Sequence, residues 1–366
     1  MKKSTASIAK LTLHVLTCAA MMLCIASCSE QQQQDKQQST AETAASATVA
    51  QAPLRMGIAP YQEIALLVNE KPLGLEKKYG VTLELITMPW EDLLPAVASA
   101  GQTIDIGFAS LSDYLAKAKR LNSKQDDPII YLYPAWVFHG GGFITFNKDV
   151  PEINAKSIKD PAIVKKFLSY RVGVQKNSCC HMLLWKLAND AGIKLPDLKV
   201  TDTTLNDGLL ATENGSLDIA ASGLTQRTEA LKRHGRVVLT MDTVGLMDPG
   251  GFVCKESIYK KRKKEIDSLV RMWFECTNYV LSDIDHHNKA TLAYLKANAS
   301  TNYTPAEFKS ALSQEFIPQS VEEAQTEVVS GKGKYSISAA SDEINKYLID
   351  IGVAKSSFQM PKMITP

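Results

Sequence analysis

The feature that most constrains this chain is a construction that occurs twice. Gly101 to Tyr114 opens with glycine, carries Asp105 among the apolar Ile104, Ile106 and Phe108, and ends in the small residues Ala109 and Ser110. Gly215 to Thr225 repeats the order: glycine, then Asp218, Ile219, Ala220, Ala221, Ser222 and Gly223. So short an apolar strand suits a parallel sheet in which both faces are buried. Ser110 followed by Asp113 is a capping-box-like pair and predicts a helix start directly after the strand. Small residues at a strand end let a ligand approach the backbone, and a helix start presents free N–H groups to it. Two copies with matching flanks predict two α/β lobes facing one cleft.

The flanking segments fit that scheme. Leu54 to Ile58 reads as an opening strand, Glu63 to Asn69 as a helix, and Pro72 to Gly80 as a helix end stopped by Gly80. Val81 to Ile86 is rich in β-formers. Trp90 to Ala100 is predicted helical, with Pro95 obscuring its start. The first Gly-Asp strand follows, then a helix to about Leu121. Strand, helix, strand, helix, strand is an α/β signature. Ile129 to Phe146 then holds Trp136, Phe138 and three consecutive glycines, Gly140, Gly141 and Gly142, which predict a bend or a close approach of ligand to backbone. Arg171 to Val174 opens a second strand set, followed by a helix from Ser178 to Ala191 and another that includes Arg227 to His234 and stops at Gly235. Val237 to Thr240 is a strand, Asp248 to Phe252 a second glycine-rich passage, and Ile266 to Leu281 a later helix.

At the N-terminus, Lys2 and Lys3 precede the mostly apolar Leu11 to Ala26, a run too short for a membrane span and suited to a secretory signal. It ends in Ile25, Ala26, Ser27 and Cys28, which resembles the lipobox of bacterial lipoproteins. That resemblance implies cleavage before Cys28 and lipid attachment to its thiol, making 1–27 a signal peptide. Residues 28–51 are rich in Gln, Ser, Thr and Ala and have no aromatics, so they predict a flexible tether with a reach on the order of 25 Å.

Composition excludes some classes. A net charge of +2 and one short basic run, Lys260 to Lys264, argue against a nucleic-acid partner; that run reads as a solvated helix face. Beyond the signal and Cys28, the cysteines are Cys179, Cys180, Cys254 and Cys276, a spacing that matches no zinc finger or stapled scaffold. Export makes a disulfide possible, but adjacent Cys179 and Cys180 form a strained ring. The histidines are scattered, and no nucleophile–base set, Walker loop or dinucleotide fingerprint is present.

Gly74 to Val81 and Ala98 to Gly107 resemble passages of the solute-binding proteins of ABC importers, nearest to the nitrate, sulfonate, taurine and thiamine-precursor binders. Gly173 to Ser178 and Asp218 to Gly223 continue the resemblance through most of the mature domain. It implies a two-lobed periplasmic-binding-protein type II fold, with 52–140 and 248–366 as lobe one, 141–247 as lobe two, and crossovers at the two glycine-rich passages. It also implies a lipid-anchored protein on the periplasmic side of the membrane that delivers a small anionic or aromatic solute to an ABC permease. No cofactor, metal, catalytic residue or nucleic acid enters that reading, and the protein is expected to be a monomer.

The ligand contacts expected are Tyr61, Trp90, Ser110, Trp136, Gly141, Gly142, Ser178, Cys179, Ser222, Gly223 and Arg227. Asn177 and Ser178 match the family's Gly-Ser-Ser/Thr-like turn, whereas Cys179 and Cys180 depart from it. Arg227 could add a positive charge, although an exposed helix arginine is the plainer expectation. Two other readings rest on Cys179, Cys180 and His181: a pyrimidine-synthase-like enzyme of thiamine biosynthesis, which shares this fold and uses pyridoxal phosphate, and a metal or thiol sensor.

Overall fold

The computed structural model describes residues 52–99, 103–122, 126–299, 302–360 and 362–366. The signal peptide, Cys28 and the tether lie outside the described residues, as do Gly101 and Gln102.

The chain begins with β1 (Leu54–Ile58), a 3₁₀ helix (Ile64–Glu70), α1 (Leu75–Tyr79), β2 (Leu83–Thr87), α2 (Trp90–Ala98), β3 (Ile106–Ser110), α3 (Leu111–Asn122) and β4 (Ile129–Phe138). Next come β5 (Gly142–Thr145), α4 (Pro161–Leu168), β6 (Val172–Gly173), α5 (Cys179–Asp190), β7 (Val200–Thr201), α6 (Leu205–Glu213), β8 (Ile219–Ser222), α7 (Leu224–Lys232) and β9 (Arg236–Thr240). The rest is α8 (Met241–Val244), β10 (Asp248–Lys255), α9 (Glu256–Ser282), α10 (Ile284–His287), α11 (Lys289–Asn298), α12 (Pro305–Leu312), β11 (Glu315–Phe316), α13 (Val321–Ala324) and α14 (Ile337–Asp350).

The strands form two sheets, in the orders β11-β4-β10-β3-β1-β2 and β7-β6-β8-β5-β9. The fold is therefore α/β and two-lobed, one sheet to each lobe. Among the described residues, only two connections between strands pass from one sheet to the other. The chain leaves the first sheet after β4 and enters the second at β5, and it returns between β9 and β10. Glycines Gly140 to Gly142 stand at the first crossing. There a Cβ on Gly142 would fall 2.5 Å from the Leu239 carbonyl, so β5 can pair with β9 only without a side chain at that point.

Local sequence explains most boundaries. Gly80 closes α1 with φ +65°. Pro95 lies inside α2 rather than at its start; burial of Leu93, Leu94, Val97 and Ala98 holds the helix across it. The stop of α7 falls at Lys232, with His234 taking the left-handed turn and the Gly235 N–H closing on the Ala230 carbonyl at 2.7 Å.

In the basic run the four lysines form the expected solvated helix face, and Arg262 departs from it. The run lies in α9, which is kinked at Arg262. Arg262 turns inward, its side chain only 10 % exposed, and pairs with Glu265 and with Asp105 at 3.4 Å while binding the carbonyls of Ala52 and Pro53. Lys260 and Lys263 pair with Glu256 and Asp267 on the outside of the same helix.

Candidate functional site

A cleft of about 190 Å³ opens between the ends of the two sheets. The twin Gly-Asp strands bring it there. β3 ends at Ser110 and β8 at Ser222, and α3 and α7 begin at once, so both helix starts border the cleft together with those of α5 and α6.

Aromatics build the first-sheet wall. Trp136 on β4 and Trp90 at the start of α2 have ring centroids 6.5 Å apart, and Tyr61 follows 6.1 Å from Trp90 at the mouth. Gly250 on β10 makes room for this wall: a Cβ there would fall 2.2 Å from the Trp136 ring. At Gly251 a Cβ would meet the Tyr131 hydroxyl at 2.3 Å. Trp90 Nε1 donates to Asp113 at 3.1 Å, and Asp113 also pairs with Lys117 at 2.6 Å.

Beside the aromatics lies Asp248, the first residue of β10. It accepts the Ser112 backbone N–H at 3.0 Å and the Ser112 hydroxyl. Burial pushes its carboxyl up to about 6 against those hydrogen bonds. Ser110 Oγ caps α3 by accepting the Asp113 N–H at 3.2 Å. Further along the wall are Gln62 and Glu63. Gln62 donates to Glu315 at 2.6 Å, and burial pushes both Glu63 and Glu315 up; the Glu63 charge raises Glu315 further, whereas hydrogen bonding to Glu315 partly offsets the rise at Glu63.

Among the described residues, the second-sheet wall carries no charged side chain. It is made of Gln175, Cys179 and Cys180 around the start of α5, Leu205 on α6, and Ser222 to Gln226 at the end of β8 and the start of α7. Ser222 Oγ donates to the Gly142 carbonyl at 3.1 Å, and Gln226 Oε1 accepts the Gly223 N–H at 3.2 Å.

Of the residues expected from sequence, Tyr61, Trp90, Ser110, Trp136, Cys179, Ser222 and Gly223 line the cleft. Gly141, Gly142, Ser178 and Arg227 do not. Gly141 stands behind the wall, where a Cβ would meet Met241 Sδ at 2.8 Å and Phe138 at 3.2 Å. The Ser178 hydroxyl accepts the His181 N–H at 3.2 Å and donates to the Gln175 carbonyl at 2.7 Å, so it is spent on capping α5.

Arg227 corrects the plainer expectation of an exposed arginine. It is buried, and its guanidinium donates to the Gly140 carbonyl and to Gln314. It therefore pins the first crossing to the segment before β11. Sequence reasoning missed Glu63, Gln175, Leu205, Thr225 and Gln226 as lining residues. It noted Asp113 only as a cap and Asp248 only as the start of a glycine-rich passage. An acidic residue separated only by Pro249 from a glycine pair at a crossing was the available signal for Asp248.

Cys179, Cys180 and His181 do not converge. Cys180 Sγ points to the carbonyls of Gly142 and Ser222 at 3.9 and 4.0 Å, while His181 Nδ1 bonds the Tyr347 hydroxyl at 2.7 Å. Burial lowers the imidazole to about 4, so it is neutral. Hydrogen bonding to Cys180 and burial push the Cys179 thiol well above its usual range, opposite to the activation expected of a thiol at a helix start. All four described cysteines are free thiols. Among the described residues, no three His, Cys, Asp or Glu side chains are placed to hold a metal ion, which removes the geometric basis for the metal form of the sensor reading; for the thiol form, hydrogen bonding to Cys179 lowers the Cys180 thiol. Among the described residues no lysine lines the cleft, so none of them offers an amine to pyridoxal phosphate.

No family model matches the chain, and no curated protein matches it by sequence. Its structure is similar to solved ones. The periplasmic aliphatic sulphonate binding protein SsuA from Escherichia coli aligns with a TM-score of 0.61 at 17% identity, over 84% of this chain and 96% of that one. The alkanesulfonate-binding protein SsuA from Xanthomonas axonopodis pv. citri, bound to MOPS, gives 0.58 at 14% identity over 83% and 95%. The periplasmic nitrate-binding protein NrtA from Synechocystis PCC 6803 gives 0.53 at 15% identity over 70% and 68%. Two lobes, two crossings and a cleft between the sheet ends are thus the periplasmic-binding-protein type II fold, and that fold is what this chain shares with the solute-binding components of ABC importers.

Proposed function

We propose that this protein is an extracytoplasmic solute-binding protein that captures one small molecule between its lobes and presents it to an ABC import permease. The observation that carries the reading is the aromatic-walled cleft of about 190 Å³ at the meeting of two sheets joined by only two crossings. Few connections across a cleft let the lobes hinge, and closure on a solute creates a surface that a permease can tell from the empty form. We take 52–140 with 248–366 as lobe one and 141–247 as lobe two. Lipid attachment at Cys28 would hold the protein at the periplasmic side of a membrane, with 28–51 as the tether. The protein acts as a monomer and catalyses no reaction.

Tyr61, Trp90 and Trp136 favour a solute with a flat or apolar part. Ser110, Cys179, Ser222 and Gly223 border it, and Gly141, Gly142 and Arg227 shape the wall from behind. The aromatic half of the expected ligand class therefore has more support than the anionic half, which rested on the helix starts at Ser110 and Ser178. The experiment is mass spectrometry of solute retained through native purification, followed by uptake of that solute in cells lacking the gene. One molecule per protein and lost uptake are expected; a protein that carries nothing and whose loss leaves uptake intact contradicts the reading. Cys28→Ser should release the protein from the membrane fraction or leave it uncleaved, and an unchanged membrane fraction would contradict the anchor.

A further inference from the structure

Resting on the reading that the cleft holds a solute, we propose that this solute is an organic cation, a protonated amine, amidine or heterocyclic nitrogen on a one-ring apolar body. Among the described lining residues there is no lysine, arginine or histidine, whereas Glu63, Asp113 and Asp248 all line the cleft. Asp113 has its own cation in Lys117. Asp248 is different: it is 2 % exposed, and its donors are the N–H and hydroxyl of Ser112. The titratable groups facing it from the packed elements are Asp113 on α3, Cys179 on α5, Tyr131 on β4 and Tyr347 on α14, none of which brings positive charge.

The second carboxyl adds an independent observation. Glu63 is 6 % exposed and stands beside Glu315; the two carboxyls share a hydrogen bond, and no cation among the described residues offsets the burial of either. A buried carboxylate without a cation is costly, and a ligand that brings N–H donors and positive charge relieves that cost. An oxyanion has no comparable place. The start of α3 is already occupied by the Asp248 carboxylate on the Ser112 N–H, and the starts of α5 and α7 carry caps from Ser178 and Gln226. The Tyr61, Trp90 and Trp136 faces suit a cation as well as an apolar ring. The volume sets the size: a dry cavity of about 150 Å³ accepts benzene, and the cleft measures about 190 Å³.

The test is titration calorimetry on the purified mature protein with charge-matched one-ring probes, benzylammonium and methylpyridinium against benzylsulfonate and benzoate, with benzyl alcohol as the neutral member. The cations should bind and the anions should not. Lowering the pH from 8 to 5 should weaken cation binding as Asp248 takes up a proton. Asp248→Asn keeps the shape and should weaken the cations about ten- to a hundredfold, while benzyl alcohol binding and the melting curve report that the cleft is still formed. If the anions bind and the cations do not, the cation inference falls and solute binding stands. If neither binds and the solute retained through native purification is an anion or neutral, the cation inference again falls alone. If no probe binds and no solute is retained, both readings fall together.

Discussion

The strand ends at Ser110 and at Ser222 are built alike and furnished differently. In the first lobe Arg55 presents its backbone N–H and guanidinium to Asp105, with N···O distances of 3.0, 3.3 and 2.8 Å. In the second, Arg171 meets Asp218 in the same way at 3.0, 2.9 and 3.0 Å. Each pair clamps the root of a strand whose far end delivers small residues and a helix start to the cleft. The clamp fixes the geometry, because a bidentate pair with an added backbone bond leaves the neighbouring strand little freedom of register. Beyond the strand ends the likeness stops. The first wall holds the aromatic rings and every carboxylate of the cleft lining; the second holds small residues, thiols and amides. One construction serves the scaffold of both lobes, and the aromatic and acidic side chains of the cleft lining stand on one of them.

The comparison breaks first at the clamps. In the first lobe Arg262 joins the pair, and Asp105 is only 8 % exposed at its side chain. Asp105→Ala should cost about 2–3 kcal/mol in denaturant unfolding, since it removes the buried carboxylate that Arg55 and Arg262 share. Asp218→Ala, in a pair whose Arg171 is 48 % exposed, should cost clearly less. Equal losses would mean that burial does not separate the two clamps.

The glycines come next. Gly250→Ala places a methyl in the Trp136 ring and should cost about 2 kcal/mol, with a shift in tryptophan fluorescence and loss of solute. Gly223→Ala meets the movable Gln226 amide at 3.2 Å and Leu205 at an ordinary 3.7 Å, and should stay within about 0.5 kcal/mol.

The first wall and the two clamps should also answer differently to pH. Asp248, raised to about 6, and the Glu63–Glu315 pair, also raised, bind protons more tightly folded than unfolded. The solute-free protein should therefore gain stability as pH falls from 8 toward 5, and Asp248→Asn should reduce that gain. The Arg171 hydrogen bonds hold Asp218 down to about 2. Burial raises the Asp105 carboxyl, but the Arg55 hydrogen bonds outweigh it and leave the group lowered. Stability from these two is present above about pH 4 and is lost below it. A melting temperature that falls steadily from pH 8 to 5 would contradict the assignment for the first wall.

The duplicated strands, the glycine-rich crossings and the order of elements were legible in the sequence, because strand periodicity, helix caps and glycine runs act locally. The clamps were half legible. Asp105 and Asp218 stood out, but Arg55 and Arg171 lie 50 and 47 residues away from them, and only sheet pairing joins them. The same distance problem hid the fate of Arg227, whose partner Gln314 is 87 residues on. The charge of the cleft was not legible at all. Asp248 looks like a turn residue before Pro249 and Gly250, and only β10 lying between β3 and β4 carries it to the start of α3. Ser178 shows the opposite failure: it caps α5 as the sequence suggests, but its hydroxyl faces its own turn and not the cleft.

Ser178 therefore supplies the control for the central claim, that recognition rests on the first wall. Ser178→Ala should cost about 1 kcal/mol of stability through the lost cap and leave solute binding as it is. Solute carried through native purification, counted per protein by mass spectrometry in Asp248→Asn and in Ser178→Ala, tests this most directly. The account expects the solute to be lost from Asp248→Asn and retained at full stoichiometry in Ser178→Ala; full retention in a folded Asp248→Asn, or loss from a folded Ser178→Ala, would contradict it.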